Sequence, residues 1–114
     1  MNGTYLRFYV HENVKYHHRL LYEWLLEHAK KMGVHGGSAF RAIAGFGRHG
    51  VLHEQHFFEL AGDLTVKVEF ILSDEMADRL LESIRHENVS VVYARIPAVF
   101  DVIGERKSTR PLAP

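Results

Sequence analysis

The chain has 114 residues, 46% of them hydrophobic and 25% charged, the proportions of one ordinary globular domain with a single core. Fourteen Lys and Arg balance fourteen Asp and Glu, which argues against general nucleic-acid binding, because proteins that neutralise many phosphates carry a basic surplus. Cysteine is absent, so disulfides and thiolate chemistry are excluded, and no apolar run approaches the roughly 18 residues that span a bilayer.

The opening "MNGTYLRFYV" lacks the basic region and unbroken apolar core of a signal peptide, so the cytoplasm is the expected location. Thr4 to Val10 alternate, with Leu6, Phe8 and Val10 on one side and Tyr5, Arg7 and Tyr9 on the other, which is strand periodicity. Asn13 is placed to cap a helix that runs to Met32 and stops at Gly33. Its stripe is Leu21, Trp24, Leu25, Ala29 and Met32, with His17 and His28 at the stripe's boundary rather than among metal ligands. "SAFRAIAGFG" reads as a second strand entered through "GVHGG", and "LTVKVEFIL" as a third with Leu64, Val66, Val68, Phe70 and Leu72 inward. Ser73 then caps a second helix carrying Ala77, Leu80, Leu81 and Ile84. "VSVVYARI" is a fourth strand that Pro97 limits, since proline cannot donate to the ladder. "AVFDVIG" reads as a short extra edge strand and "ERKSTRPLAP", residues 105–114, as a loose basic tail after one domain spanning 1–104.

The order βαββαβ predicts an α+β, ferredoxin-like sandwich: a four-stranded antiparallel sheet with both helices on one face. Fold alone leaves function open. The sheet's other face offers Tyr5, Arg7, Tyr9, Lys67, Glu69 and Ile71, a mixture that suits a subunit interface better than open water.

The most informative stretch is "GFGRHGVLHEQHFFEL", residues 45–60. An RNA-recognition signature shares only its Gly-Phe-Gly, and Arg48 stands where an aromatic belongs. His49, His53 and His56 are the donor type that zinc, copper and nickel accept, with Glu54 adding an oxygen, although Gly50 interrupts helical continuity. Glycines also let a backbone approach an anion, and Gly45, Gly47 and Gly50 around Arg48 fit a phosphate-gripping turn. The residues by themselves leave the metal and phosphate readings both open.

"GFGRHG" between strands two and three resembles the "GFGRxxG" that opens the long T-loop of P-II signal-transduction proteins. The runs "LLYEWLLEHAKKMG" and "HGGSAFRAIAGFGRHGVLH" resemble the shorter P-II-like proteins of the domain-of-unknown-function 190 family, over much of the chain. The resemblance implies a homotrimer of ferredoxin-like subunits that binds an adenine nucleotide in clefts between neighbours, with the loop reporting occupancy to a target protein such as a membrane transporter or an enzyme. It places Arg41, Gly45, Phe46, Gly47 and Arg48 at the loop base beside the phosphates, with Arg95, Arg106 and Lys107 as further basic groups. His49 stands where P-II proteins usually carry a glutamine, and "RHENVS" replaces their Gly-rich phosphate-binding segment. ADP, AMP or a cyclic nucleotide is therefore expected alongside ATP. The alternative is a divalent-metal-binding, metal-tolerance protein using His49, His53 and His56.

Catalysis is not expected. No serine sits in a nucleophile elbow, and no carboxylate pair is marked for acid–base work. "VHENVK" lacks the glycines of an acylphosphatase-type anion loop after the first strand. Neither nucleic-acid binding nor direct membrane insertion is expected.

Overall fold

The computed structural model describes residues 1–45 and 64–104. Strand β1 (Asn2–His11) buries Leu6, Phe8 and Val10 and leaves Tyr5, Arg7 and Tyr9 half-buried on the opposite side. A two-residue hairpin follows, β2 (Lys15–Tyr16) and β3 (Arg19–Leu20), and only then helix α1 (Leu21–Lys31). The expectation that Asn13 caps this helix is therefore corrected: residues 12–20 are spent on the hairpin. Its turn is His17–His18, with φ of 52° and 66°. Positive φ at both central residues matches the right-handed twist of a two-residue hairpin, and histidine is among the few non-glycine residues that tolerate it. The hairpin is anchored where Tyr16 Oη donates to Glu87 at 2.5 Å and the Tyr16 ring meets Trp24 edge-on at 5.0 Å. Local tertiary contact thus overrides a plausible helix cap.

The far end of α1 is as the sequence predicts. Gly33, at φ 101°, donates to Lys30 O at 3.1 Å, and Val34 donates to Ala29 O at 3.0 Å, the paired bonds of a left-handed glycine stop. His28 stacks on Trp24 at 4.6 Å, and its Nε2 lies 2.7 Å from Ser83 Oγ, so it bridges the two helices.

β4 (Ser38–Arg41) is shorter than "SAFRAIAGFG" suggests, because after the bond from Ala42 N to Thr65 O the chain bends at Ile43 and Ala44. β5 (Thr65–Leu72) buries Val66, Val68, Phe70 and Leu72 as expected. Leu64 precedes the strand and is half-buried. Ser73 Oγ accepts from Met76 N at 3.1 Å to cap α2 (Asp74–Arg85), whose Ala77, Leu80, Leu81 and Ile84 are all buried.

β6 (Val92–Val99) runs through Pro97, which corrects the expectation that this proline ends the strand. The reason lies in the alternation of the antiparallel ladder. Met1 and Phe100 exchange both backbone bonds, at 2.8 and 2.9 Å. Thr4 and Pro97, three pairs further along, therefore form a non-hydrogen-bonded pair, and the proline nitrogen turns to the open edge, where no donor is needed. No extra strand follows: Ala98 and Val99 end β6, and residues 100–104 form none.

The sheet order is β4-β5-β1-β6, antiparallel throughout. Leu21, Leu25 and Ala29 of α1 and the buried stripe of α2 pack on the same sheet face, around Leu6, Phe8, Val68 and Phe70. This is the ferredoxin-like α+β sandwich, and it leaves the other sheet face and two strand edges without a covering element among the described residues. Residues 105–114, the expected tail, lie outside the described residues.

Candidate functional site

The uncovered face is built from every second residue of each strand. Strand register sets Tyr5 beside Ile71 and Ile96, Arg7 beside Glu69 and Ala94, and Tyr9 beside Lys67 and Val92. Phe40 of β4 lies across from Lys67, whose Nζ stands 5.1 Å from the ring centre. Glu69 is the hub: it accepts a short hydrogen bond from Tyr5 Oη and pairs with Lys67 Nζ at 3.2 Å. Arg7 lays its guanidinium 4.8 Å over the Tyr5 ring, and its Nε is buried with no hydrogen-bond partner among the described residues. Two cations thus share one carboxylate on a face that is half-buried already.

That arrangement fixes how Glu69 titrates. Burial alone would raise its carboxyl, but the hydrogen bonds from Tyr5 and Lys67, with the charges of Lys67 and Arg7, outweigh burial and hold it below the ordinary glutamate value. The same Glu69 bond raises the Tyr5 phenol, helped by burial. A carboxyl that is more acidic folded than unfolded contributes stability in full above its unfolded value and loses it as pH falls through the folded one. Between about pH 5 and about pH 3, therefore, Glu69→Gln is expected to flatten the fall in melting temperature relative to wild type. Identical pH dependence in the two proteins would show that Glu69 takes no part.

The two expected basic groups within the described residues occupy opposite edges of the sheet, on its helix side. Arg41, at the end of β4, donates from Nε to Glu12 Oε1 at 2.6 Å. It borders a hollow of about 330 Å³ with Glu12, Tyr22, Ala39 and Val66. Among the described residues, nothing lies within 4 Å of where a side chain on Gly45, four residues on, would begin. Arg95 of β6 donates from Nη1 to Asp78 Oδ1 at 2.6 Å and from Nη2 to Asp74 O at 3.2 Å. It borders a second hollow, of about 500 Å³, with Asp78, Arg79, Glu82, Arg85 and Tyr93. Three strand spacings separate the two edges, about 14 Å, so one subunit does not bring Arg41 and Arg95 to a common ligand.

Phe46, Gly47, Arg48, His49, His53, His56, Arg106 and Lys107 lie outside the described residues. Sequence reasoning missed Glu12 and Asp78, the carboxylates that hold the two arginines. Each is distant in sequence from its partner, and only strand register and helix placement bring the pairs together. It also missed Tyr22, Arg85 and Tyr93 as walls of the two hollows.

Comparison with known proteins adds an independent line. The profile of the domain-of-unknown-function 190 family, described as an uncharacterized ACR, matches residues 3–98. A UPF0166 protein of Aquifex aeolicus is 35% identical over 96 residues, covering 77% of this chain and 91% of that one. A UPF0166 protein of Methanocaldococcus jannaschii is 30% identical over 76 residues, covering 67% and 69%. Among solved structures, a Thermus thermophilus protein assigned as PII-like and signalling superposes with a TM-score of 0.59 over 85% of this chain and 87% of that one, at 17% identity. That likeness concerns the fold.

Proposed function

The chain belongs to the domain-of-unknown-function 190 family, and from that premise we propose that it is a regulatory protein of P-II-like type, a homotrimer binding an adenine nucleotide in clefts between its subunits. The observation that carries the reading is the placement of Arg41 and Arg95 on opposite open edges of one sheet. In a closed ring the contact between neighbours is heterologous, so the β4 edge of one copy meets the β6 edge of the next. Two half-sites about 14 Å apart in a single chain then become one cleft. The Tyr- and Arg-bearing sheet face turns inward in the same arrangement, which suits its half-buried state and the unpartnered Arg7 Nε.

Phosphates of ATP, ADP, AMP or a cyclic nucleotide would lie beside Gly45 to Arg48, and the loop would carry the signal to a target, a transporter or an enzyme. The role assigned is binding and signalling, without catalysis. Among the described residues no helix is long and apolar enough to cross a membrane, and the proposed place of action is the cytoplasm.

Calorimetric titration with ADP and with zinc tests this reading. An arginine donates a charge-assisted bond that a neutral side chain cannot replace, so Arg48→Ala is expected to weaken ADP binding by about ten- to a hundred-fold. His53→Ala and His56→Ala should leave ADP affinity within about two-fold, a change worth under about 0.5 kcal/mol. Unchanged ADP affinity in Arg48→Ala refutes the phosphate role of the loop base. Zinc binding that collapses in the histidine variants, with no ADP binding in wild type, would establish the metal alternative.

A further inference from the structure

The larger hollow, between α2 and β6, carries chemistry beyond that of a cleft wall. Arg79, Arg85 and Arg95 surround it together with the carboxylates of Asp78 and Glu82, so three guanidinium groups face two carboxylates and one positive charge is left over. The three arginines are not equivalent. Arg95 is tethered twice, to Asp78 Oδ1 at 2.6 Å and to Asp74 O at 3.2 Å, which fixes its plane at the floor. Arg85 is held loosely, 3.5 Å from Glu82 Oε1 and 3.3 Å from Tyr93 Oη. Arg79 takes no hydrogen bond or ion pair from any described residue. Among the described residues, the surplus cation is therefore also the one without a partner.

The fold explains why these groups meet. Asp78, Glu82 and Arg85 recur at helical spacing along one flank of α2. Tyr93 and Arg95 alternate onto the helix side of β6, where β6 ends the sheet and leaves that flank open. They stand opposite Phe8 and Leu6, in the same non-hydrogen-bonded phase of the ladder as the Thr4–Pro97 pair. An aromatic wall and a fixed guanidinium are thus presented at an edge. Guanidinium forks match tetrahedral oxyanions, and a volume of about 500 Å³ admits one or two phosphate groups.

We infer that the groove between α2 and β6 is a phosphoanion subsite, in which Arg79 and Arg85 grip a phosphate or diphosphate group over the fixed Arg95. The inference rests on the nucleotide reading for its ligand and deepens it: "RHENVS" starts at Arg85, the last residue of α2, and the arginines on the helix supply the phosphate contacts there. It is nevertheless separable from that reading, because a bare diphosphate needs only the groove, whereas ADP also needs the nucleoside contacts of the cleft.

The test is calorimetric titration of the full chain with sodium pyrophosphate and, separately, with ADP. Wild type, Arg79→Ala, Arg79→Lys, Arg79→Ala/Arg85→Ala and Lys31→Ala are compared. The substituted arginines are exposed on α2, and unchanged far-ultraviolet circular dichroism verifies the fold. Pyrophosphate is expected to bind wild type, to bind about ten-fold more weakly to Arg79→Ala and about a hundred-fold more weakly to the double variant. Arg79→Lys should recover part of the loss, and Lys31→Ala, which removes an exposed positive charge on α1 away from the groove, should leave pyrophosphate affinity unchanged. If wild type binds no pyrophosphate, or the double variant binds it as well as wild type does, the subsite is refuted. ADP binding without any pyrophosphate binding would refute the subsite and leave the nucleotide reading standing. Pyrophosphate binding that follows the arginines, without ADP binding, would establish the subsite and overturn the nucleotide reading.

Discussion

Phe8→Ala is expected to destabilise the fold by about 3–5 kcal/mol, the range for removing a large aromatic from a closed core. Phe8 is fully buried on a central strand. Its ring meets Phe70 edge-on at 6.2 Å and Tyr93 at 6.2 Å, so truncation forfeits transfer energy, ring contacts and packing from both neighbouring strands at once. Domains of this size are stable by about 5–15 kcal/mol. The variant should therefore lose a large share of its margin, with a melting temperature lower by on the order of 15 °C or more. Urea denaturation at fixed protein concentration measures the loss, and fixing the concentration matters because assembly adds stability by mass action. A loss under about 1 kcal/mol would mean that the core does not close on this ring.

Phe8 also shows why the fold was legible. Its strand and β5 alternate with period two, α2 repeats its apolar residues with helical period, and Ser73 and Gly33 punctuate the helix ends in ways local chemistry dictates. Each of these signals lies within a few residues of the structure it specifies. The errors arose where distant contacts decide. Asn13 looks like a cap, but the next residues fold into a hairpin because Tyr16 reaches Glu87, far along the chain. Pro97 looks like a strand end, but its position in the ladder alternation, invisible without the partner strand, turns its missing donor outward.

The site was less legible for the same reason. "GFGRHG" advertises its chemistry in consecutive residues, whereas the Arg41–Glu12 and Arg95–Asp78 pairs exist only after the sheet and α2 are placed. A paired surface arginine is also a poorer anion ligand than its sequence suggests, since the carboxylate must be displaced or shared. This is why Arg79, which carries no motif at all and has no partner among the described residues, is the stronger candidate for the proposed phosphate contact.

Arg7→Glu is expected to abolish the proposed assembly. In wild type the Arg7 guanidinium rests on Tyr5 and its charge helps hold Glu69 ionised, so the uncovered face carries Arg7 and Lys67 against Glu69. The substitution sets a second carboxylate directly beside Glu69 in the strand register, and like charges in that position repel. In a free subunit water would screen much of the penalty, because the face is only half-buried. In a trimer with the sheets inside, each of three copies would bury an uncompensated charge, and leaving one buried charge unpaired costs about 3–5 kcal/mol. The variant should therefore keep its far-ultraviolet spectrum and sediment as a monomer at micromolar concentration, where the wild type is expected to sediment as the proposed trimer. ADP binding should disappear with the trimer, because Arg41 and Arg95 are then left on opposite edges of separate chains. Two companions separate charge from shape. Arg7→Met keeps length and packing without charge and should remain assembled, since an apolar replacement for a buried ion is often tolerated. Arg7→Glu/Glu69→Arg restores one opposite-charge pair and should recover part of the assembly. If Arg7→Glu sediments as wild type does, the Tyr- and Arg-bearing face is not the subunit contact, and the composite cleft built on it fails too.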